Sequence, residues 1–317
     1  MANDAIGNFV VSTPLLQMLR AAHSPATLDY YGGKRTIELQ RASDLFDWNF
    51  PLHGSSEADA EEAMASRKPY DLVVNVETSD FAKRMTEVLC DKDTFVVGPV
   101  RNSGEDLAFS DDAQGKLCAD REWISEEVTK RHPILSTGFI GEIFCRLAYL
   151  EGPIPRYKVP FSDPDCGLPN VLIATAASLP EKLWPIENWA YVLSKLNQRG
   201  CHVGLLGAKP SDQMGWKGAE SEQKLVDDGL VEDFRGMFTM PQVVGALSKV
   251  CAVLTIDNGI LHLATAAETP TVGLFRHGIH RLWAPPSSNL TVLTAGEGRD
   301  VYQIEVDRVL EAVELAL

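Results

Sequence analysis

The 317-residue sequence contains no long run of apolar residues and comparatively little positive charge. No segment approaches the roughly 18 consecutive apolar residues that cross a bilayer, and the first residues lack the pattern of a secretory signal. Only 29 basic residues accompany 44 acidic ones, so the formal charge of −15 would repel duplex nucleic acid on average. We therefore expect a cytoplasmic protein that binds no nucleic acid and makes at most peripheral contact with the inner face of a membrane.

Patterns typical of metal sites are scarce as well. The cysteines are far apart, without a Cys-x-x-Cys pair or a Cys/His set at metal-ligand spacing. We interpret them as reduced structural thiols and expect no bound metal. The six positions are Cys90, Cys118, Cys145, Cys166, Cys201 and Cys251.

What the sequence does contain is an alternation of short apolar runs with segments of helical period. This alternation is typical of parallel sheets covered by helices, and it predicts an α/β fold. The predicted strands cover 26–31, 70–76, 93–100, 170–176, 201–207, 251–257, 269–275 and 290–295. The predicted helices cover 185–199, 241–249 and 259–268, with an amphipathic helix within 302–317.

A segment rich in proline, 151–170, divides the chain. It contains five prolines and two glycines, too many for the interior of a helix or strand. The length of the chain also suits two domains of roughly 150 residues each better than one core. We predict domains at 1–155 and 156–317.

The opening segment DAIGNFVVSTPLLQMLR, residues 4–20, predicts a sharp turn at Gly7-Asn8. The helix behind it would begin near Ser12, with Pro14 tolerated in the first turn. A Rossmann-like half normally opens with its central strand, whereas only three residues precede this segment. The strand is missing or reduced, so either the chain is trimmed or the first sheet is irregular.

The most informative segment is CAVLTIDNGILHLATAAETPTVGLF, residues 251–275. An apolar strand ends at Asp257, turns at Asn258-Gly259 and enters a helix that carries His262. Such a turn directs backbone N–H groups and the positive end of the helix toward the carboxyl edge of the sheet, where anions bind. This predicts a phosphate site; the alternative is that Asp257 or Asn258 merely caps the helix.

A lysine lies at a second turn of the same kind. Lys182 follows the strand within 170–176 and comes shortly before Trp184-Pro185 and a predicted helix. A lysine at such a position is a reasonable counterion for a pyrophosphate. The alternative is a solvated surface lysine.

These segments, in this order, resemble glycosyltransferase family 9, the ADP-heptose:lipopolysaccharide heptosyltransferases. The most specific part is Asp257-Asn-Gly-Ile-Leu-His-Leu, which is similar to the family's Asp-Thr-Gly-x-x-His-Leu. Further similar segments extend over nearly the whole chain: VVSTPLLQMLR, EKLWPIENW, GLLGAKPSD, FTMPQVVGALSKV and TPTVGLF.

The resemblance implies a GT-B enzyme, with two Rossmann-like domains that face each other across a cleft. It implies an acceptor-binding N-terminal domain and a nucleotide-sugar-binding C-terminal domain. The expected reaction is inverting, metal-independent transfer of a heptose from an ADP-linked donor to a saccharide or other hydroxyl acceptor, without a cofactor. Charge that grows on the leaving diphosphate would be stabilised by fixed dipoles and a cation.

The resemblance also implies roles for single residues. Lys182 corresponds to a lysine that contacts the pyrophosphate, and Met240 to a residue beside the adenine. Asp257 and His262 correspond to residues near the donor sugar. The remaining expected substrate contacts are the turn under the phosphates, Asn258, Gly259 and Ile260, together with Gly7, Thr13 and Arg276.

One departure from the family pattern concerns catalysis. Position 8 is asparagine, where the family usually has an aspartate assigned as general base, and we expect it to face the donor sugar from the acceptor side. An amide positions a hydroxyl but does not take its proton. Either Asn8 is an engineered or trapped form of the aspartate, or the base lies elsewhere, with Asp4 and Asp257 the nearest candidates.

Two further departures concern ligand contacts. After TPTVGLF, where the family commonly has another glycine, the basic segment Arg276–Arg281 follows; it contacts a phosphate of donor or acceptor, or it is a solvated loop. Asp212 stands where the family often has glutamate, so recognition of the ribose is open.

Two alternatives to glycosyl transfer stay open at the level of sequence. A sugar-nucleotide 2-epimerase has a similar architecture and would act on the donor alone. A sugar-nucleotide-binding protein that has lost its base would bind the donor without turnover.

Overall fold

The computed structural model describes residues 4–212 and 218–317. The chain forms two compact units, Met1–Lys158 and Val159–Leu317. Their junction lies inside the proline-rich segment 151–170.

Among its described residues, the first unit contains three small sheets. Strands β1 (Asp29–Gly33) and β2 (Trp48–His53) pair in parallel, and so do β3 (Leu72–Val74) and β4 (Phe95–Val97). Strands β5 (Arg101–Asn102) and β6 (Glu105–Asp106) form an antiparallel hairpin. The helices are α1 (Ile6–Ala22), α2 (Ile37–Ala42), α3 (Glu57–Ala65), α4 (Asp80–Leu89), α5 (Ala113–Ala119), α6 (Val128–Arg131) and α7 (Ile140–Leu147).

A cavity of about 800 Å³ lies in the first unit where a Rossmann sheet has its first strand. It is lined by β1, by β3 and by the inner face of α1, including Leu15, Leu16 and Leu19. In the part of the chain that the structure describes, no strand joins β1 to β3, and the two belong to separate sheets. Among the described residues, the first sheet is thus divided between β1 and β3.

Strand β2 was missed by the sequence analysis. Its sequence WNFPLH has no β-branched residue and contains Pro51, which weakens a strand pattern. Proline is tolerated because β2 pairs with β1 alone among the described strands and leaves its other edge without ladder bonds.

The turn predicted at Gly7-Asn8 is wrong. Both residues lie in the first turn of α1, which begins at Ile6 and continues without interruption to Ala22. Pro14 is therefore in the helix interior rather than in its first turn. A proline there removes the N–H that would bond the carbonyl of Val10.

Thr13 explains how α1 tolerates Pro14. Its hydroxyl donates to the carbonyl oxygen of Val10 at 2.8 Å, the acceptor that the proline leaves without a helical donor. The same hydroxyl accepts from the backbone N–H of Lys158 at 3.2 Å, and Thr13 is fully buried. The expectation that Thr13 contacts substrate is therefore corrected: the hydroxyl is engaged inside the unit, and the residue has no exposed surface to offer a ligand.

Replacing Thr13 by valine is expected to destabilise the first unit by about 1 to 3 kcal/mol, because it leaves the buried Val10 carbonyl without its donor and the partly buried Lys158 N–H without its acceptor. Urea denaturation followed by circular dichroism measures the loss. Ser12→Ala is the matched control. The Ser12 hydroxyl donates to the Phe9 carbonyl at 2.7 Å, and without it that carbonyl can still accept the helical hydrogen bond from the N–H of residue 13. Equal losses in the two variants would contradict this role of Thr13.

The second unit, as far as the structure describes it, is built on one parallel sheet of six strands. In chain order they are β7 (Val171–Ala174), β8 (Val203–Leu205), β9 (Glu232–Asp233), β10 (Ala252–Ile256), β11 (Thr271–Leu274) and β12 (Leu290–Leu293). Their order in space is β12-β11-β10-β7-β8-β9, the arrangement of a Rossmann fold. The five strands predicted here are all present, and the predicted α/β class is confirmed.

Helices cover this sheet and bury its central strands completely. They are α8 (Ile186–Gln198), α9 (Ala219–Asp227), α10 (Met240–Leu247), α11 (Gly259–Ala266), α12 (Ile279–Trp283) and α13 (Val306–Ala316). The core packs Trp189 and Leu193 of α8, with Val309 and Val313 of α13, against the sheet. The amphipathic helix predicted at the end of the sequence is α13.

Candidate active site

The carboxyl ends of β7 and β10 form the centre of the candidate site. These two strands are neighbours in space, and the connections from them lead to opposite sides of the sheet. In doubly wound folds the crevice at this reversal is where ligands bind. The chain that leaves β7 leads to Lys182, and the chain that leaves β10 begins with Asp257 and Asn258.

Lys182 is held against the end of β10. Its Nζ atom lies 2.7 Å from Oδ2 of Asp257 and donates to the Asp257 carbonyl oxygen at 3.1 Å. The Lys182 side chain is 19% exposed and that of Asp257 is 6% exposed. The alternative of a solvated lysine is therefore wrong: the cation is fixed at the carboxyl edge, with part of its surface open.

Asn258 caps α11. Its Oδ1 atom accepts from the backbone N–H of Ile260 at 3.0 Å and of Leu261 at 3.3 Å, while its Nδ2 donates to the Ala176 carbonyl at 3.3 Å. Thr255 adds a side-chain contact to Oδ1 at 3.2 Å. Asn258 is thus the N-cap of α11, as one of the two sequence interpretations predicted, and the Ile260 N–H already donates to its side chain. A phosphate at this turn would have to share those donors with the Asn258 amide.

His262 lies on α11 one turn after the cap and is buried. Burial lowers the pKa of His262 to about 4; the nearby Asp257 carboxylate opposes this shift and the Lys182 ammonium adds to it. Its ring contacts that of Trp283 edge to face, with centroids 6.3 Å apart. His262 is therefore a neutral imidazole at pH 7 that interacts electrostatically with both Asp257 and Lys182.

The low pKa of His262 predicts acid sensitivity with a defined sign. Between pH 6.5 and about 4 the unfolded chain binds a proton that the folded imidazole does not, so the free energy of unfolding falls as the pH falls. The loss approaches about 3 kcal/mol near pH 4. In His262→Gln this component should disappear from urea denaturation measured between pH 7 and pH 4.5. Parallel stability curves for wild type and variant would contradict the assignment.

Arg276 and Met240 border this cluster in different ways. Arg276 follows β11, and its Nη1 atom lies 3.5 Å from Oε1 of Glu181, the residue before Lys182. Met240 is half-buried at the first position of α10, a helix that packs against α11 and whose capping box is made by Thr239 and Gln242.

The second unit thus brings together Lys182, Asp257, Asn258, His262 and Arg276. The other expected contacts lie in the first unit, where Gly7 and Asn8 are half-buried in the first turn of α1. That turn contains no acidic residue and its N-cap, Ala5, makes no side-chain cap. Asp212 lies in a short 3-10 turn, Pro210–Asp212, at the edge of the described residues.

Three neighbours of the cluster were missed by the sequence analysis. Glu181 forms an ion pair with Arg276, and the Trp283 ring contacts the His262 ring edge to face. The Thr255 hydroxyl donates to Oδ1 of Asn258, the residue that caps α11. Thr255 lies three residues before Asn258 and could have been found from the local sequence. Glu181 and Trp283 act through contacts with residues far along the chain.

The described residues provide neither a cluster of metal ligands nor a membrane-spanning helix. Among residues 4–212 and 218–317, no group of three or more His, Cys, Asp or Glu side chains could hold a metal ion. The helices in that part of the chain are each too short or too polar to cross a membrane. All six cysteines are free thiols, and burial raises the pKa of Cys145 to about 12.

A known family matches the part of the chain that contains this cluster. Residues 155–309, which contain the whole cluster, match the model of glycosyltransferase family 9 (heptosyltransferase). Lipooligosaccharide heptosyltransferase 2 of Haemophilus influenzae is 25% identical over 122 residues, which are 38% of this chain and 34% of that protein. The chain therefore spans about a third of the length of this curated relative.

Solved structures share the fold over nearly the whole chain. A family 9 glycosyl transferase from Veillonella parvula superposes with a TM-score of 0.74 at 14% identity, covering 98% of this chain and 94% of that one. E. coli ADP-heptose LPS heptosyltransferase II gives 0.70 at 18% identity, covering 100% and 98%. E. coli heptosyltransferase WaaC with ADP gives 0.68 at 16% identity, with the same coverage. The predicted GT-B fold class is confirmed by these matches.

Proposed function

Since residues 155–309 belong to glycosyltransferase family 9, we propose that the chain transfers a heptose from an ADP-linked donor to a hydroxyl group of a saccharide or similar acceptor. The second unit would bind the nucleotide sugar and the first unit the acceptor. Transfer would invert the anomeric carbon and use protein groups rather than a metal to stabilise the leaving diphosphate.

The observation that carries this proposal is the position of the Lys182 cation at the reversal point of the Rossmann sheet. In the displacement, the acceptor oxygen bonds to the anomeric carbon, the bond from that carbon to the diphosphate oxygen breaks, and the hydroxyl proton is released to solvent water. Negative charge grows on the diphosphate, and a fixed cation close to it lowers the barrier. Lys182 contacts Asp257, which lies two residues before the first residue of α11. The positive end of that helix would also stabilise negative charge on the diphosphate.

Asp257 has a positioning role in this proposal. Its carboxylate holds the Lys182 Nζ at 2.7 Å and is nearly inaccessible, so it keeps the ammonium at the crevice before the donor arrives. The carboxylate faces the Lys182 ammonium and is 6% exposed, so it has little surface to offer an acceptor hydroxyl. We therefore assign Asp257 to the orientation of Lys182 and not to proton removal.

The donor proposal draws on the relatives. One solved neighbour is named as an ADP-heptose enzyme and another was solved with ADP. Met240 at the start of α10 is the residue expected beside the adenine, and the thioether is a suitable apolar surface for a base. Selective stabilisation by ADP over UDP, GDP and dTDP in a thermal-shift assay would support this choice of nucleotide.

A second candidate function is donor binding without turnover, and Asn8 favours it. An amide at the position of the family's catalytic aspartate removes the expected base. Both candidates predict ADP binding, so turnover distinguishes them.

The test is an incubation with ADP-heptose, with and without a heptose-accepting lipooligosaccharide core. Release of ADP and a glycosylated product only when acceptor is present supports transfer. Tight donor binding with neither product supports the binding protein. Epimerised donor in the absence of acceptor would overturn the transferase proposal.

A further inference from the structure

The segment Arg276–Arg281 presents hydrogen-bond donors that are buried and have no acceptor. It leaves the carboxyl end of β11, turns at Gly278 and enters α12. Gly278 has φ +86, a conformation that L side chains rarely adopt, so the reversal of the chain depends on this glycine.

The tautomer of the neutral His277 ring follows from its contact with Arg281. Nη2 of Arg281 lies 3.3 Å from Nε2 of His277. A guanidinium only donates, so Nε2 must accept and the proton of the neutral ring is on Nδ1. That Nδ1 atom is buried and has no hydrogen-bond partner. The ring therefore presents an N–H donor that requires an acceptor.

Arg276 adds a second donor of the same kind. Its Nε atom is also buried without a hydrogen-bond partner, while its Nη1 lies 3.5 Å from Glu181. Two unsatisfied donors on adjacent residues, beside a second guanidinium, are costly unless an acceptor arrives. An oxyanion is the acceptor that suits this set, because phosphate and carboxylate oxygens accept several charge-assisted bonds.

We propose that Arg276 and His277, with Arg281 orienting the His277 ring, form an oxyanion subsite separate from the one at Lys182. Glu181 borders both sets of groups, since it precedes Lys182 in the chain and its carboxylate lies 3.5 Å from Nη1 of Arg276. The ligand class is a phosphate or carboxylate group. It belongs either to the donor or to another ligand of the enzyme, such as the acceptor. Its use in catalysis rests on the proposed function, but its binding chemistry does not.

The direct test observes the His277 ring by ¹H–¹⁵N NMR of the imidazoles in the full chain, during a titration with inorganic phosphate. We expect an Nδ1–H tautomer and a saturable shift that persists in Lys182→Ala. Arg276→Gln should weaken phosphate binding at this ring roughly tenfold or more. Arg276→Lys keeps the charge but has no Nε–H, so it should recover only part of the affinity.

Calorimetry with ADP identifies the source of the oxyanion. If His277→Phe weakens ADP binding roughly tenfold, the group is the donor's diphosphate; if ADP affinity is unchanged, it belongs to another ligand. Either result keeps the subsite. Two results would overturn the subsite: a neutral His277 ring with its proton on Nε2, or a wild-type ring whose resonances do not shift with phosphate at tens of millimolar. Either result would indicate that water satisfies these donors. None of these measurements needs sugar transfer, so failure of the proposed function is recognised separately.

Discussion

Lys182→Ala is expected to slow sugar transfer roughly 30- to 900-fold, which corresponds to about 2 to 4 kcal/mol of lost transition-state stabilisation. The reason is that the Nζ cation, fixed 2.7 Å from Asp257 at the end of β10, would no longer meet the charge that grows on the diphosphate. Steady-state kinetics with ADP-heptose and acceptor measure the effect. The loss should appear in kcat as well as in kcat/KM.

The controls for this variant separate catalysis from folding. Lys224→Ala removes a lysine of the same unit whose side chain is 63% exposed and pairs with Asp228 along α9, so its kinetics should match wild type. Removal of Lys182 alone leaves the Asp257 carboxylate buried without its partner, which destabilises the fold. The double variant Lys182→Met with Asp257→Asn removes both charges and should fold while remaining slow. Wild-type kinetics in that double variant would contradict the role of Lys182.

The site in the second unit was predictable because its signals are local. A buried strand that ends at Asp257 and is followed by Asn258-Gly259 and a small-residue helix indicates a strand-to-helix turn at the carboxyl edge. Since carboxyl ends of parallel strands meet at one edge, Lys182 after β7 could be placed near Asp257 from topology alone. The contacts themselves could not be predicted, because the Lys182–Asp257 and Arg276–Glu181 pairs join residues 75 and 95 positions apart.

The first unit was harder to predict because two of its patterns placed the start of α1 too late. Pro14 indicated a helix start nearby, and a glycine before it indicated a turn. In the structure the helix continues through Pro14, and the Thr13 hydroxyl donates to the carbonyl that Pro14 leaves without a donor. A threonine directly before a proline was therefore the available signal that the helix continues through Pro14.

The position of Gly7 and Asn8 changes how the missing base is understood. Because α1 begins at Ile6, Asn8 occupies the third position of the helix, where an aspartate is favoured by the helix dipole and by uncapped N–H groups. An acidic residue at position 8 is thus compatible with the fold. The asparagine is not explained by any structural requirement that the described contacts show.

Asn8→Asp is expected to raise turnover about 10²- to 10⁴-fold, the usual contribution of general-base assistance, if position 8 retains the family's catalytic role. The two other candidate bases are engaged elsewhere: Asp4 accepts the Arg35 backbone N–H at 2.7 Å, and Asp257 is paired with Lys182. Initial rates of ADP release, with acceptor present and donor saturating, measure the gain.

Asn8→Ala is the matched control for that gain, since it removes the amide without supplying a base and should not raise turnover. The aspartate variant should also be as stable as wild type or slightly more stable, because its charge lies in the first turn of α1. Its pH–rate profile should gain an ascending limb from the new carboxylate. If Asn8→Asp leaves turnover unchanged while Asp4→Asn abolishes it in a folded protein, the base has moved to Asp4 and position 8 no longer removes the proton.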